Sequence, residues 1–381
     1  MSASELLVIG AGPYGLATAA YAQARGLDCR IVGEPMQFWR EHMPRGMLLR
    51  SGSDWQLDAL EQHTFEAFLA ARDLDPAAVL PIAVELYIEY AAWFQQQREL
   101  AVDPTLVTAL RQVHGGYVAE MADGRRIEAR NVAVATGISR FGCVPPEVVR
   151  DLPASRYAHT CDCVDFAPLR GKRCLIIGGR QSAFEWAALM HEAGAAAIHL
   201  VYRHPTPRFV PSDWSWIDAL LDETLRTPGW WRGLPTPRQE EIAGRFWAEG
   251  RLKLEPWLPP RLASDRVTCW PERQVRSCAE TAGGEIAVLL DDGSELRVDQ
   301  ILLATGYRVD ATRLPFLADS LLTRLHLADG APALDAHCQA NLPGLFFPGM
   351  TAVPDFGPFF GFVRGCPVAA RLIVDHLADG R

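Results

Sequence analysis

One arrangement of residues occurs twice in this 381-residue chain and determines most of what it can fold into. In each copy a short apolar run leads into a glycine-rich turn, and a helical stretch and a second apolar run follow. The apolar runs lie at residues 6–9 and 29–32 in the first copy and at residues 174–177 and 198–202 in the second. Such runs are typical of parallel strands that are buried on both faces. The order of features therefore predicts two βαβ units.

The glycine-rich turn of the first copy has the complete G-x-G-x-x-G spacing. Gly10 permits the tight turn, Gly12 lets the backbone approach a diphosphate, and Gly15 lets the helix pack closely on the strand. The N-terminus of that helix directs its partial positive charge at the phosphates. Glu34, just after the second strand, is the nearby acid that can accept hydrogen bonds from ribose hydroxyls. The residues predicted to contact the dinucleotide are Gly10, Gly12, Pro13, Tyr14, Gly15 and Glu34.

The second copy departs from that spacing, because Arg180 replaces the central glycine. In one interpretation the side chain crowds the diphosphate and weakens nucleotide binding. In the other, which we favour, the planar guanidinium pairs with phosphate. After the next strand, Arg203 and Arg208 are either solvated loop charges or, as we expect, ligands for the 2′-phosphate of NADP. The predicted contacts of this unit are Gly178, Gly179, Arg180, Gln181, Ser182, Arg203 and Arg208.

The similarity between the copies extends beyond the βαβ units. Asp123-Gly124 and Asp292-Gly293 are both typical of tight hairpin turns. Each turn glycine is followed, 13 residues later, by the last residue of an Ala-Thr-Gly segment. The predicted fold is therefore α/β, with two Rossmann-like dinucleotide-binding domains in tandem and a β-hairpin appendage on each. The two segments are Ala135, Thr136, Gly137 and Ala304, Thr305, Gly306.

Residues 205–262 interrupt the second copy and contain six of the eleven tryptophans. Ser212 and Thr236 have the residue type of helix N-caps, so we expect a small helical insertion. Most of the aromatic rings are expected to form a core of the insertion's own, and the alternative is a lid over a substrate pocket. Trp214 and Trp216 are the candidates for the pocket.

Charge, cysteine content and hydropathy argue against several other classes of protein. The net charge of −9 argues against a nucleic-acid partner, because neutralising phosphates needs clustered Lys and Arg. The nine cysteines include no C-x-x-C, and the closest pair, Cys161 and Cys163, is expected to be two reduced thiols rather than a metal or redox site. With neither a signal peptide nor a run long enough to span a bilayer, the chain is expected to be cytoplasmic, without a metal or a membrane partner.

With both copies in place, the sequence resembles the flavoproteins with two dinucleotide-binding domains. Residues 39–51 are similar to a bacterial branch of flavin monooxygenases. The resemblance implies that FAD binds a discontinuous domain of residues 1–155 and 307–381, and that NAD(P)H binds residues 156–306. It assigns to the flavin site Trp39, Arg50, Ala135, Thr136, Gly137, Gly349, Met350, Gly357 and Pro358, and to the nicotinamide site Ala304, Thr305 and Gly306.

The resemblance also implies how the C-terminal segment meets the flavin. Residues 345–350 would form a strand that ends beside the ring. Pro358 would open a helix that continues to residue 377, with its positive end facing the ring.

Where the electrons go next distinguishes the functions that the resemblance allows. A disulphide reductase needs a C-x-x-C beside the flavin, and this sequence has none. The resemblance then implies an FAD-dependent monooxygenase that consumes NADPH in preference to NADH, and oxygenates a small molecule with O₂ through a C4a-(hydro)peroxyflavin. One alternative is a reductase or oxidase that passes electrons to a partner or to O₂. Another, which Arg180 leaves open, is a flavin-bearing binding or redox-sensing protein. No catalytic side chain is predicted, because the cofactor carries most of this chemistry.

Overall fold

The computed structural model of the protein describes residues 3–380. Its first part begins with the predicted strand, helix and strand, and Leu6, Leu7 and Val8 are fully buried, as a central parallel strand requires. The elements of this part are β1 Ser4–Ile9, α1 Pro13–Ala24, β2 Cys29–Val32, α2 Gln37–Glu41, α3 Phe65–Ala70, α4 Val84–Gln97, β3 Val102–Asp103, β4 Val107–Val113, β5 Gly116–Met121 and β6 Arg126–Val134.

The second βαβ unit repeats the first closely. Its glycine turn also leads into a 12-residue helix, and the residue before the helix is extended in both units, Gly12 in the first and Arg180 in the second. From the end of β6 to the end of this unit, the elements are α5 Pro146–Val149, β7 Tyr157–His159, β8 Arg173–Ile177, α6 Gln181–Glu192 and β9 Ala197–Tyr202.

The predicted insertion is helical, but its helices begin differently from the prediction. Ser212 precedes no helix, and Thr236 is itself the first helical residue and makes no capping hydrogen bond. Pro235 takes the capping position instead, so both predicted N-caps are wrong. The elements of the insertion are β10 Arg208–Phe209, α7 Ile217–Arg226, α8 Trp230–Gly233, α9 Thr236–Arg251, β11 Lys253–Leu254 and α10 Leu258–Leu262.

The rest of the chain adds strands to both main sheets and forms two further small sheets. Gly124 and Gly293 both have φ of +86° in the two hairpin turns, as the Asp-Gly pairs predict. The elements are β12 Val267–Pro271, β13 Val275–Glu280, β14 Ile286–Leu290, β15 Glu295–Val298, β16 Gln300–Leu303, α11 Asp319–Leu322, β17 Leu327–Ala328, β18 Ala331–Pro332, β19 Leu345–Phe346, α12 Val353–Phe356 and α13 Cys366–Asp379. The two small sheets are β13-β14-β15 and β17-β18.

Two separate sheets with parallel central strands confirm the predicted fold class, and in the first of them β4, β5 and β6 pair antiparallel. The first has the order β3-β2-β1-β6-β5-β4, with β19 also beside β6, and the second has the order β12-β9-β8-β16-β7. Since β19 returns to the first sheet, the strands support a discontinuous first domain, although its exact bounds remain a proposal. Residues 1, 2 and 381 of that domain lie outside the described residues. Within residues 3–380 no helix combines the length and apolar character needed to cross a bilayer.

The C-terminal helix begins eight residues later than predicted, at Cys366 rather than Pro358. Pro358 opens only a short 3₁₀ turn, and Phe362 is extended. The Tyr14 hydroxyl lies within hydrogen-bond distance of the carbonyl groups of Phe360 and Phe362, which a continuous helix would use internally. A contact with a distant tyrosine thus helps to break the predicted helix. The predicted start at Pro358 is wrong, and the approach of the helix's positive end to the flavin stays a prediction.

The insertion has no core of its own, contrary to the interpretation favoured from the sequence. Its first half, including Ile217 and Leu221, packs into the core of the first domain. Its last part, including Leu254 and Leu258, packs into the core that contains α6. The insertion therefore bridges the two domains.

Candidate functional site

The two glycine turns have the same relation to the two Ala-Thr-Gly segments. Gly10 has φ of +105°, and a Cβ atom there would lie 2.4 Å from the carbonyl oxygen of Ala135. Gly178 has φ of +139°, and its Cβ would lie 2.4 Å from the carbonyl oxygen of Ala304. In each unit the alanine N–H donates to the last residue of the first strand, at 2.8 and 2.9 Å. Each segment is therefore held directly against its own glycine turn. Thr136 and Gly137 follow beside the first turn, and Thr305 and Gly306 follow beside the second.

Gly12 leaves an open space at the N-terminus of α1. A Cβ atom at Gly12 would meet no other heavy atom within 4 Å, whereas one at Gly15 would lie 1.8 Å from the carbonyl oxygen of Gly10. The helix therefore packs tightly on the turn at Gly15, and its first N–H groups, from Tyr14 onwards, border the open space. This is a cradle for a diphosphate, and the residues suit the FAD that the sequence predicts.

Tyr14 connects this turn to the C-terminal segment. Its hydroxyl donates to the carbonyl of Phe360 or of Phe362, the latter at 2.9 Å. A Cβ atom at Gly349, where φ is +84°, would lie 3.3 Å from the ring of Tyr14, and Met350 follows half-buried. Burial raises the pKa of Tyr14 well above its usual value, so the hydroxyl stays protonated. The predicted flavin residues of the two chain segments are thus brought together.

Gly357 and Pro358 lie further along the C-terminal segment, beside the insertion. Gly357 has φ of +94°, and a Cβ atom there would lie 3.0 Å from the ring of Trp231 and 2.9 Å from that of Phe359. Glycine is therefore required here because the Trp231 ring of the insertion packs against it. The sequence alone does not show this contact.

Three other predicted flavin residues have partners within the protein. Glu34 forms an ion pair with Arg40, and Trp39 stacks on Tyr87 with ring centroids 5.0 Å apart. The Nε of Arg50 donates to Glu255 at 2.8 Å, and its other nitrogens donate to Ser212 and to backbone carbonyls of the insertion. Arg50 therefore faces the insertion, and its predicted contact with FAD remains untested.

In the second βαβ unit, which is predicted to bind the nicotinamide nucleotide, the side chains of the turn also face the insertion. Arg180 donates to the carbonyl of Arg251, and Gln181 accepts from the N–H of Glu255 at 3.2 Å. Ser182 is exposed. A Cβ atom at Gly179 would lie 2.4 Å from the ring of Tyr202, so glycine is required there for packing.

The ends of β2 and β9 place opposite charges at equivalent positions. Val32 and Val201 accept the N–H of Gly10 and Gly178, at 2.8 and 3.0 Å, which makes them structural equivalents. Two residues later come Glu34 in the first unit and Arg203 in the second. Arg203 and Arg208 are exposed. An acid suits ribose hydroxyls, whereas an arginine suits a 2′-phosphate.

The two candidate pocket residues lie in different surroundings. Trp214 packs with Trp55, Phe246 and Phe362, with ring centroids 5.1–6.5 Å apart, and we call these four rings the aromatic cluster. The Nε1 of Trp214 is buried without a hydrogen-bond partner among the described residues. Trp216 instead donates to the carbonyl of Asp213 at 2.9 Å and carries Arg245 over its ring. The other cluster members were missed, because each comes from a separate part of the chain.

The cysteine pair lies at the domain junction. The Sγ of Cys161 is 3.0 Å from Nδ1 of His159, whose Nε2 lies 3.0 Å from the carbonyl of Gly306. Burial raises the pKa of Cys161 and that of Cys163 to about 11, so both are thiols at neutral pH. Among residues 3–380, only His42, Cys161 and Asp162 bring three possible metal ligands within 4.8 Å of one another. A protonated thiol is a poor metal ligand, and the expectation of no metal remains a prediction.

Sequence comparisons identify a family and more distant relatives. Residues 7–227 match the family described as pyridine nucleotide-disulphide oxidoreductase. The chain is 33% identical over 137 residues to a FAD-dependent urate hydroxylase of Xanthomonas campestris pv. campestris, covering 33% of this chain and 28% of that protein. It is 26% identical over 208 residues to a ferredoxin–NADP reductase of Saccharopolyspora erythraea, covering 52% and 54%. The chain thus spans about half, or less, of these relatives.

A structural comparison extends over the whole chain. The ornithine N-hydroxylase of Kutzneria sp. 744, solved with reduced FAD, NADP⁺ and L-ornithine, superimposes with a TM-score of 0.79. The two chains are 15% identical, and all of each is covered. At this identity the likeness shows that the two proteins have the same fold.

Proposed function

Since the chain belongs to the pyridine nucleotide-disulphide oxidoreductase family, we propose that it is an FAD-dependent monooxygenase that takes electrons from NADPH and oxygenates a small organic molecule. Family membership confirms the resemblance seen in the sequence and the class of oxidoreductase. The two cofactors are supported by the two turns. The open backbone at Gly12 suits the diphosphate of FAD, and the charges of Arg180 and Arg203 suit the phosphates of NADPH.

The observation that carries the proposal is the buried indole N–H of Trp214 in the aromatic cluster, which has no hydrogen-bond partner within residues 3–380. A buried donor without a partner costs about 1–3 kcal/mol. An acceptor oxygen or nitrogen on a small substrate would satisfy it, and the surrounding rings would exclude water. The cluster joins the first domain, the insertion and the C-terminal segment, which is where a substrate would meet the flavin domain.

FAD, when bound, supplies the electron transfer and the activation of oxygen. The residues of the chain have other tasks. The α1 N-terminus binds the diphosphate, the aromatic cluster provides apolar contacts, and the N–H of Trp214 orients the substrate.

The cysteines support an electron acceptor other than a disulphide. All nine are free, and the closest pair in sequence, Cys161 and Cys163, is not a C-x-x-C. Their raised pKa values keep both as weakly nucleophilic thiols at neutral pH. Oxygen is then the simplest acceptor for electrons that arrive from NADPH.

A second candidate is a ferredoxin–NADP reductase, which the Saccharopolyspora relative favours. Rapid mixing separates the two functions. Anaerobic NADPH should bleach the flavin in both cases. Adding O₂ to the reduced monooxygenase should give a transient absorbance band before the oxidised spectrum returns. Direct return of the oxidised spectrum, together with fast reduction of added ferredoxin, would establish the reductase instead. Very slow reduction of the flavin by NADPH would favour a redox-sensing protein over either enzyme.

The substrate is tested with urate and L-ornithine, which the names of the two hydroxylases suggest. A true substrate should increase NADPH oxidation and lower the yield of hydrogen peroxide per NADPH. Trp214→Phe should raise the KM of that substrate about tenfold without slowing flavin reduction, since the N–H that would bond the substrate is lost. The matched control, Trp216→Phe, should leave this KM unchanged. An unchanged KM in Trp214→Phe would exclude the assigned role of the indole.

A further inference from the structure

Four arginines around the nicotinamide turn lack a carboxylate partner. Arg180, Arg203, Arg208 and Arg251 form no ion pair within residues 3–380, whereas nearby Arg261 pairs with both Glu185 and Glu192. Two of the four, Arg208 and Arg251, belong to the insertion. The N–H of Arg208 donates to the carbonyl of Leu252 at 3.1 Å, which places it beside the end of α9.

One face of α9 meets the turn that precedes α6. Trp247 and Arg251 are four residues apart, so they lie on the same side of that helix. The Cζ of Arg180 lies 5.2 Å from the ring centroid of Trp247, and that of Arg251 lies 5.9 Å away. Arg180 also donates to the carbonyl of Arg251. The Trp247 side chain is 52% exposed, so this ring and the two guanidinium groups border solvent.

Several positive groups lie close together here, beside the two favourable contacts of Arg180 with the Arg251 carbonyl and the Trp247 ring. Burial lowers the pKa of Arg180, and the charges of Arg251 and Arg203 lower it further. Burial also lowers the pKa of His204, and the charges of Arg180 and Arg203 contribute to that shift. The N-terminus of the 12-residue helix α6 adds positive potential at the same place. A bound phosphate would relieve the repulsion among these groups.

We propose that Arg251, carried by the insertion, binds the diphosphate of the pyridine nucleotide together with Arg180. Trp247 holds both guanidinium groups by cation–π contact on the solvent side of the site. Arg180 occupies the position of Gly12 in the first unit, where a diphosphate is expected, and Arg251 contacts Arg180 directly. Arg203 stands at the ribose position and recognises the 2′-phosphate. The inference rests on the proposed function, because the nucleotide is the electron donor of that reaction.

The experiment is calorimetric titration of the oxidised, FAD-loaded protein with NADP⁺ and with NAD⁺. Both nucleotides contain the diphosphate, and only NADP⁺ carries the 2′-phosphate. Arg251→Gln keeps most of the side chain's stem and should weaken both Kd values about tenfold, or about 1.4 kcal/mol. Arg203→Ala should weaken the binding of NADP⁺ and leave the Kd of NAD⁺ unchanged. Arg251→Lys should recover part of the loss.

The matched control is Arg238→Ala, on the same helix, whose side chain pairs locally with Glu241. It should change neither Kd, and flavin content and melting temperature should stay native in all four variants. Unchanged Kd values in Arg251→Gln would overturn the inference and leave the proposed function intact. Weaker binding of NADP⁺ alone would overturn the diphosphate assignment. If the unaltered protein binds neither nucleotide, the proposed function fails, and the inference with it.

Discussion

The two βαβ units have similar backbones, and three of the equivalent positions at which they differ bear on nucleotide binding. Gly15 of the first unit is replaced by Ala183 in the second, Gly12 by Arg180, and Glu34 by Arg203. The first unit has a turn into which α1 packs so tightly that no Cβ fits at Gly15, whereas α6 accommodates the Cβ of a fully buried alanine. The shared fold thus determines where a diphosphate would lie in each unit. The side chains around that place decide which nucleotide binds and how tightly.

The largest effect is expected at the packing position. Gly15→Ala should lower the free energy of unfolding by about 3 kcal/mol and remove most of the flavin, because its Cβ would lie 1.8 Å from a backbone oxygen. The reciprocal change, Ala183→Gly, should cost about 1 kcal/mol and leave the flavin bound. Urea unfolding and the ratio of flavin to protein absorbance measure both. Full flavin content in Gly15→Ala would show that the two units do not differ here.

Exchanging the central residues tests the diphosphate sites. At Gly12 φ is −81°, so Gly12→Arg should fold, but it should purify with little flavin because its side chain fills the cradle. Arg180→Gly should keep its flavin and raise the KM for NADPH about tenfold, since a charge-assisted hydrogen bond is lost. The flavin content of the first variant is read from its absorbance, and steady-state kinetics at saturating O₂ give the KM for NADPH of the second. An unchanged or lower KM would mean that Arg180 obstructs the site.

A smaller effect is expected at the ribose position. Arg203→Glu gives the second unit the acid of the first, and it should lower the preference for NADPH over NADH about tenfold. The ratio of kcat/KM for the two nucleotides measures this change. Equal values for both in the unaltered protein would contradict the assigned role of Arg203.

The smallest effect concerns pH. Burial lowers the pKa of His159, His199 and His204 in the second domain, and of His376 in the first. The unfolded chain therefore binds more protons just below pH 6.5, and stability should decrease as the pH falls through 6.5 towards the lowered values. Urea unfolding at several pH values measures the slope, and His159→Gln should reduce it. A slope unchanged in that variant would exclude His159 as a contributor.

The parts predicted well from the sequence are those determined by local chemistry. The strands around both glycine turns and the positive φ of Gly124 and Gly293 follow from residue type and spacing alone. The late start of α13 was not predictable, because it depends on a hydroxyl that is 346 residues away from Phe360 in sequence. The partners of Arg50 were missed for the same reason, since Glu255 is 205 residues away. The Trp247 and Arg251 pair did have a local signal, its spacing of four residues near the end of a helix.

The bridging insertion has a thermodynamic consequence for the whole molecule. Asp218 of its first half accepts from Arg364 at 2.8 Å. In its last part, Glu255 accepts from Arg50 and Arg261 pairs with Glu185. Neither domain can therefore unfold without exposing apolar surface and buried charge that belong to the other. The chain should behave in calorimetry as one cooperative unit with a single heat-absorption peak, although it contains two nucleotide-binding folds.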